Sequence, residues 1–232
     1  MQEEGIRIQV KEKGLTGANL KYIALLSMLL DHISYVLGSG YVSSVLHCIG
    51  RLAFPLFCFL LVEGYCHTSN VWKFAARLMA FAFLSEVPFD LFRFGACMSP
   101  TGCNVMFTLL IGLLTMMVWN ICCEANKSPL KLVLGALCTI PIFVLAELLK
   151  TEYGAFGVAL IFVMYALRGD PIKRDISSAA ILLGCNLKGA ASLISLPLIS
   201  LYNGERGKQN KWLFYIFYPA HFLVLYAIKS ML

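Results

Sequence analysis

The run LKYIALLSMLLDHISYVL, residues 20–37, is apolar enough to cross a bilayer, yet it carries Asp31 and His32 side by side. A spanning helix needs about 20 mostly apolar residues. A charge at mid-bilayer costs at least about 2.5–3.5 kcal/mol on insertion scales, so such residues are rare unless paired or functional. Asn19 is the expected N-cap of a helix over 20–37, and Gly38-Ser39-Gly40 its stop. No small-residue cleavage pattern accompanies the run, so it is expected to be a retained first span and not a removed signal peptide.

The rest of the chain reads the same way. Of 232 residues, 59% are hydrophobic and 14% charged, with a mean hydropathy of +0.76. That composition excludes a soluble globular domain, a disordered chain and a nucleic-acid-binding domain. Residues 1–19, with Glu3, Glu4, Arg7, Lys11, Glu12 and Lys13, form a polar tail expected in the cytoplasm. Residues 20–232 then make a single domain with room for roughly eight to ten short-looped spans. No space remains for a soluble catalytic domain, so any chemistry belongs inside or at the edge of the bilayer.

An all-α polytopic transmembrane bundle is therefore expected. Spans follow at roughly 50–65, 73–92, 105–122, 129–149, 154–167 and 212–230, with a loop at 93–103 and a polar turn at 168–174. The stretch 176–202, interrupted by Asn186, Lys188 and Gly189, reads either as one long helix or as two short arms of a broken hairpin. Charge favours the hairpin. It places Lys21, Lys73, Arg77, Arg168, Lys173, Arg174, Arg206, Lys208 and Lys211 on the side of the N-terminus, and only Arg93, Lys150, Lys188 and Lys229 opposite. A positive-inside asymmetry of that size implies a cytoplasmic N-terminus and about nine membrane segments in the cell membrane. Irregular backbone at 186–189 suits a segment lining a cavity.

The intramembrane ionisable residues are the informative ones: Asp31, His32, Arg51, Glu63, Glu86, Asp90, Glu147 and His221. Glu86 and Asp90 are i,i+4 and stack on one helix face, where they repel unless one is protonated or a cation such as Arg51 pairs with them. Asp31 beside His32 suits general-base work. Neighbours on a helix point about 100° apart, however, so Asp31 is equally placed to hold Arg51 or His221. Tyr218 precedes His221 by three, so its hydroxyl is a candidate to orient the imidazole or a substrate. Glu63 and Glu147 lie near interfaces and have headgroup contact as their plainer reading; His47 and His67 lie in loops or at span ends. An ion pair that only holds helices together is an equal reading for Arg51 with Glu86 or Asp90.

Nine cysteines are scattered through the apolar runs with no CxxC, which indicates packing residues and neither a zinc site nor a disulfide framework. Cys97 and Cys103 share one short loop and are candidates for a bridge if that loop is extracellular.

Several runs together resemble the TraX family. They are Leu20-Lys21 with Met28-x-x-Asp31-His32, Arg51-Leu-Ala-Phe-Pro55, Val62-Glu-Gly64 with Thr68, Arg77-Leu78, Ser85-Glu-Val-Pro-Phe-Asp-Leu91, Asn104-Val105 with Phe107-Thr108, Tyr153-Gly154, Tyr202-Asn-Gly204 and Phe214-Tyr-x-Phe-Tyr-Pro-x-His221. The resemblance covers roughly residues 20–225, and the Ser-Glu-x-Pro-Phe-Asp and Arg-Leu-Ala-Phe-Pro runs are its specific part. It implies a polytopic acyltransferase, distantly similar to the transmembrane enzymes that take acetyl groups from acetyl-CoA. The family's namesake is linked to N-terminal acetylation of a conjugative pilin. Carried onto this chain, the site candidates are Asp31, His32, Arg51, Glu63, Glu86, Asp90, Asn104, Tyr153, Asn203, Tyr218 and His221.

The expected chemistry is acyl transfer from acetyl-CoA, or another acyl-CoA, to a peptide N-terminus, an amino sugar or a glycan hydroxyl. His32 is the expected base, held by Asp31 or a neighbouring carboxylate, with His221 the alternative. Arg51 and Asn104 are candidate donors to the carbonyl oxygen. Arg206, Lys208 and Lys211, with Asn203, Arg77 and Lys73, are candidates to meet the CoA phosphates. No metal is expected. A proton-coupled transporter or flippase is the competing reading, since buried carboxylates and a broken hairpin occur there too. An intramembrane protease or a structural subunit is a weaker third.

Overall fold

The structure, a computed structural model, describes residues 14–123, 128–185 and 187–231. The described residues are all-α: α1 (Gly17–Leu37), α2 (Tyr41–Gly50), α3 (Ala53–His67), α4 (Val71–Phe94), α5 (Val105–Cys123), α6 (Pro129–Leu148), α7 (Gly154–Ala166), α8 (Pro171–Cys185), a 3₁₀ segment (Leu187–Ile194), α9 (Ser195–Ser200) and α10 (Lys211–Lys229). Five stretches are long and apolar enough to cross a membrane: Gly17–Leu37, Tyr41–His67, Val105–Cys123, Pro129–Leu148 and Trp212–Lys229. Gly154–Ala166 and Ala190–Ser200 are shorter apolar helices, so nine segments is an approximate count. Leu26, Phe83, Leu130, Leu148 and Ile216 point outward from the bundle. An apolar surface of that extent belongs against lipid, and the chain is a multi-pass membrane protein.

Local chemistry sets the helix ends. Thr16, and not Asn19, caps α1: its Oγ1 accepts from the Asn19 N–H at 3.3 Å, which makes Asn19 the third helical residue. Gly38 closes α1 at φ 73°, as the Gly-Ser-Gly run suggests. Asn70, Ser128 and Asn210 cap α4, α6 and α10 through side-chain oxygens. The turn before α8 is shorter than expected, because Pro171 opens the helix and Asp170 accepts from the Lys173 N–H at 3.2 Å. A separate helix at 41–50 precedes the expected second span, and the chain bends at Arg51-Leu52 before α3.

Two loop pairings fix the ends of the bundle. At one end, Leu15 N–H donates to Leu201 O at 2.8 Å, Gly17 N–H to Glu205 O at 2.8 Å and Ala18 N–H to Arg206 O at 2.9 Å. The loop after α9 thus lies beside the start of α1, and residues 171–200 run out and back as the hairpin reading requires. The break falls after Cys185, where α8 gives way to the 3₁₀ segment. At the opposite end, Cys103 N–H donates to Lys150 O at 3.2 Å and Glu152 N–H to Cys103 O at 3.1 Å. Lys150 there adopts φ 49°, a left-handed turn normally given to glycine.

The core contains Leu20, Leu56, Phe92, Leu113, Met116, Ile161, Met164 and Phe222, all fully buried. Where α2 meets α1, Gly50 leaves no room for a side chain: a Cβ there would lie 2.3 Å from the Asp31 Cβ. Gly50→Ala is expected to cost about 1–3 kcal/mol through overpacking and to loosen the contacts Asp31 makes; thermal unfolding in detergent measures it.

Candidate functional site

Asp31 is clasped from α2 and the bend that follows. One carboxylate oxygen pairs with the Arg51 guanidinium, and the other lies 2.9 Å from His47 Nδ1. Asp31 therefore does not hold His32; the 100° offset between helix neighbours decides it. Arg51 pairs with Asp31 through Nη2, and not with Glu86 or Asp90 as one reading of the sequence had it; its Nε is buried with no hydrogen-bond partner among the described residues.

His32 turns instead to His221 on α10. His32 Nδ1 lies 2.8 Å from His221 Nε2, and His221 Nδ1 lies 2.9 Å from the Phe217 carbonyl oxygen. The carbonyl can only accept, so His221 Nδ1 carries a proton. In the neutral ring His221 Nε2 is then a lone pair, which accepts from His32 Nδ1–H. The lone pair of His32 is thereby displaced to its Nε2. Both imidazoles are buried against Phe222, and His32 packs against Phe92 as well. The Tyr218 hydroxyl does not orient the imidazole: it has no hydrogen-bond partner among the described residues.

Glu86 and Asp90 find separate partners, although Asp90 Oδ1 is buried with none among the described residues. Glu86 accepts from the Asn104 backbone N–H at 3.2 Å and from its side-chain amide, which also donates to Ala82 O at 2.8 Å. Both amide hydrogens of Asn104 are thus used, and Asn104 is not available to a substrate carbonyl as expected. Asp90 accepts from the Ser99 N–H at 2.7 Å. Glu147 accepts from the Ala155 N–H at 2.6 Å and so caps α7.

Glu152 and Arg93 are the residues that the sequence reading missed. Glu152 is open to water on one side and otherwise hemmed in by protein. Burial raises its carboxyl pKa, Arg93 and Arg51 oppose the rise, and Asp31 adds to it. Arg93 lies with its guanidinium 4.4 Å from the centre of the Tyr35 ring and acts electrostatically on both His32 and Glu152. Tyr153 stacks face to face on Phe54 at 3.5 Å. Asp31, Arg51, His32, His221, Glu152 and Arg93 thus form one electrostatically connected group. In the sequence Glu152 looks like a charge in a connecting turn; the pairing of Cys103 with residues 150–152 sets that turn against the loop before α5.

The remaining candidates lie at the other end. Lys21 donates to Gln209 Oε1 at 3.2 Å, within reach of Arg206. Arg206, Lys208 and Lys73 are exposed. Asn203 accepts from the Glu205 N–H at 3.0 Å and so holds its own loop. Arg77 keeps a buried Nε with no partner among the described residues. Glu63 faces Tyr202, whose phenol is pushed up to about 12 by burial and by that carboxylate. The Lys211 side chain lies outside the described residues. Between Lys21 and Tyr218 runs a cavity of about 130 Å³.

Cys97 and Cys103 are both free thiols. Burial and the Glu86 carboxylate push the Cys103 thiol up to about 11. Its maleimide labelling in unfolding-free detergent should therefore keep accelerating up to about pH 11, whereas an ordinary thiol levels off above about pH 9. A plateau near pH 9 would contradict this.

The family model described as TraX protein matches residues 16–229. The chain belongs to the TraX family. The chain is also similar to a protein of Dichelobacter nodosus named "Probable fimbrial assembly protein FimC, serogroup H1", 29% identical, covering 92% of this chain and 95% of that protein. No solved structure matches. The TraX match spans every residue of the connected group, both members of the imidazole pair included.

Proposed function

We propose that the chain is an integral membrane acyltransferase. It moves an acyl group from acetyl-CoA, or another acyl-CoA, to an amine or hydroxyl acceptor at or across the membrane. The observation that carries the reading is the buried His32–His221 pair, whose hydrogen bonds leave the free lone pair on His32 Nε2. His32 takes the proton of the acceptor as its nitrogen or oxygen attacks the thioester carbonyl. The new bond to carbon forms, the carbon–sulfur bond breaks, and the proton passes to the departing thiolate. Asp31 acts through Arg51, fixing the guanidinium that acts electrostatically on His32 and Glu152.

The basic end, with Lys73, Arg77, Arg206 and Lys208, is the cytosolic face on the positive-inside rule, and it meets the phosphates of the donor. The fimbrial name of the relative favours a pilus or fimbrial subunit, offering its amine, as acceptor.

Membranes containing the chain, incubated with acetyl-CoA labelled in the acetyl group, test this. Label is expected in a membrane protein or glycan and absent with empty membranes. Substrate-dependent proton flux without any transfer of label would favour the transporter.

A further inference from the structure

Resting on the acyltransferase reading, we propose that the cavity between Lys21 and Tyr218 is the channel for the linear arm of the thioester donor. The Tyr218 hydroxyl donates to its carbonyl oxygen. Tyr218 is then a catalytic residue, in the place that the sequence suggested for Asn104.

The cavity is walled by Leu25, Met28, Leu61, Leu78 and Leu109, and its polar groups sit at the ends. Lys21 to Met28 is about 10 Å along α1, so the cavity joins the basic end to the middle of the bundle. At the near end, Lys21 lies beside the loop that carries Arg206 and Gln209. A negatively charged head is held there while an uncharged arm passes inward. At the deep end, Tyr218 is 4% exposed and lines the cavity. Its hydroxyl has no partner among the described residues. A buried hydroxyl left unpaired destabilises the fold, and is retained where a ligand completes it. Val105 opens α5, so its N–H has no acceptor within the helix and turns to the Glu152 carboxylate and the Tyr218 oxygen, which leaves the Tyr218 O–H free to donate. One donor, the Tyr218 O–H, therefore stands at the end of an otherwise apolar passage, where the carbonyl oxygen of the arm would complete it. Glu152 and Glu86 are the charged groups acting on Tyr218; neither donates a hydrogen bond when ionised, so the carbonyl oxygen is left to the Tyr218 O–H.

Two non-reacting probes separate the arm from the carbonyl: S-acetonyl-CoA, which has a ketone, and S-propyl-CoA, which lacks it. Both are titrated against the purified full-length chain and its Tyr218→Phe variant. The variant is expected to bind S-acetonyl-CoA about tenfold more weakly, the worth of one hydrogen bond, and S-propyl-CoA within twofold of wild type. Without ligand its thermal midpoint should stay level or rise, because an unpaired hydroxyl has gone. Equal loss for both probes, no loss for either, or a lowered midpoint would overturn the assignment. Leu60→Trp, which fills the channel from its half-buried wall, should weaken both probes; unchanged binding overturns the channel. If the wild type binds neither probe, the acyl-CoA reading itself fails, an outcome distinct from the failure of Tyr218 alone.

Discussion

His32→Ala should lower acyl transfer by about 10²–10⁴-fold, the range for loss of a positioned general base, with little change in donor binding. The reason is the direction of the hydrogen bonds. Phe217 O accepts from His221, and His221 accepts from His32, so the one uncommitted lone pair of the two rings is on His32 Nε2. His221→Ala removes the acceptor that holds His32 in that tautomer but leaves the base itself, and the loss should be smaller. Initial rates of label transfer by the two variants measure the difference. Equal losses, or a larger loss for His221→Ala, would reverse the order of the relay.

Asp31→Asn should destabilise the protein by about 3 kcal/mol, the low end for breaking a buried ion pair, since the Arg51 side chain keeps 22% of its surface and Asp31 10%. The amide leaves a guanidinium without its counter-charge and weakens the acceptor for His47. The double variant Asp31→Asn with Arg51→Met should be less destabilised than the sum of its parts, because it removes the stranded charge as well. Unfolding free energies of the four proteins in one detergent form the cycle. Strict additivity would mean that the pair contributes nothing. Arg51 also acts electrostatically on His32 and Glu152, so activity should fall in the double variant even where stability returns.

The bundle was legible because hydrocarbon leaves the backbone few choices. A chain this apolar must fold as helices, and the cations around Arg168–Arg174 and Arg206–Lys208 were enough to send residues 171–200 out and back. The helix at 41–50 was not legible, since ten residues are too few for a span and its partner is α1, outside any local window. Asp31 with Arg51 was one of the pairings left open by helix geometry. His32 with His221 required contact between residues 189 positions apart, which no spacing rule supplies. Glu86 and Asp90 drew attention as a repelling pair, but each found backbone donors in the loop that folds back over α4. Glu152 was passed over because a charge beside a span end ordinarily meets water. Its place depends on the pairing of two distant loops through Cys103.

The measurement that bears most directly on the central claim is release of free coenzyme A by the purified chain in lipid nanodiscs, supplied with acetyl-CoA and a membrane extract as acceptor. The account predicts acceptor-dependent release by the wild type, nearly abolished in His32→Ala although that variant still folds and still binds donor. Release that is equal in the two proteins, or no release from a wild type that moves protons instead, would contradict it.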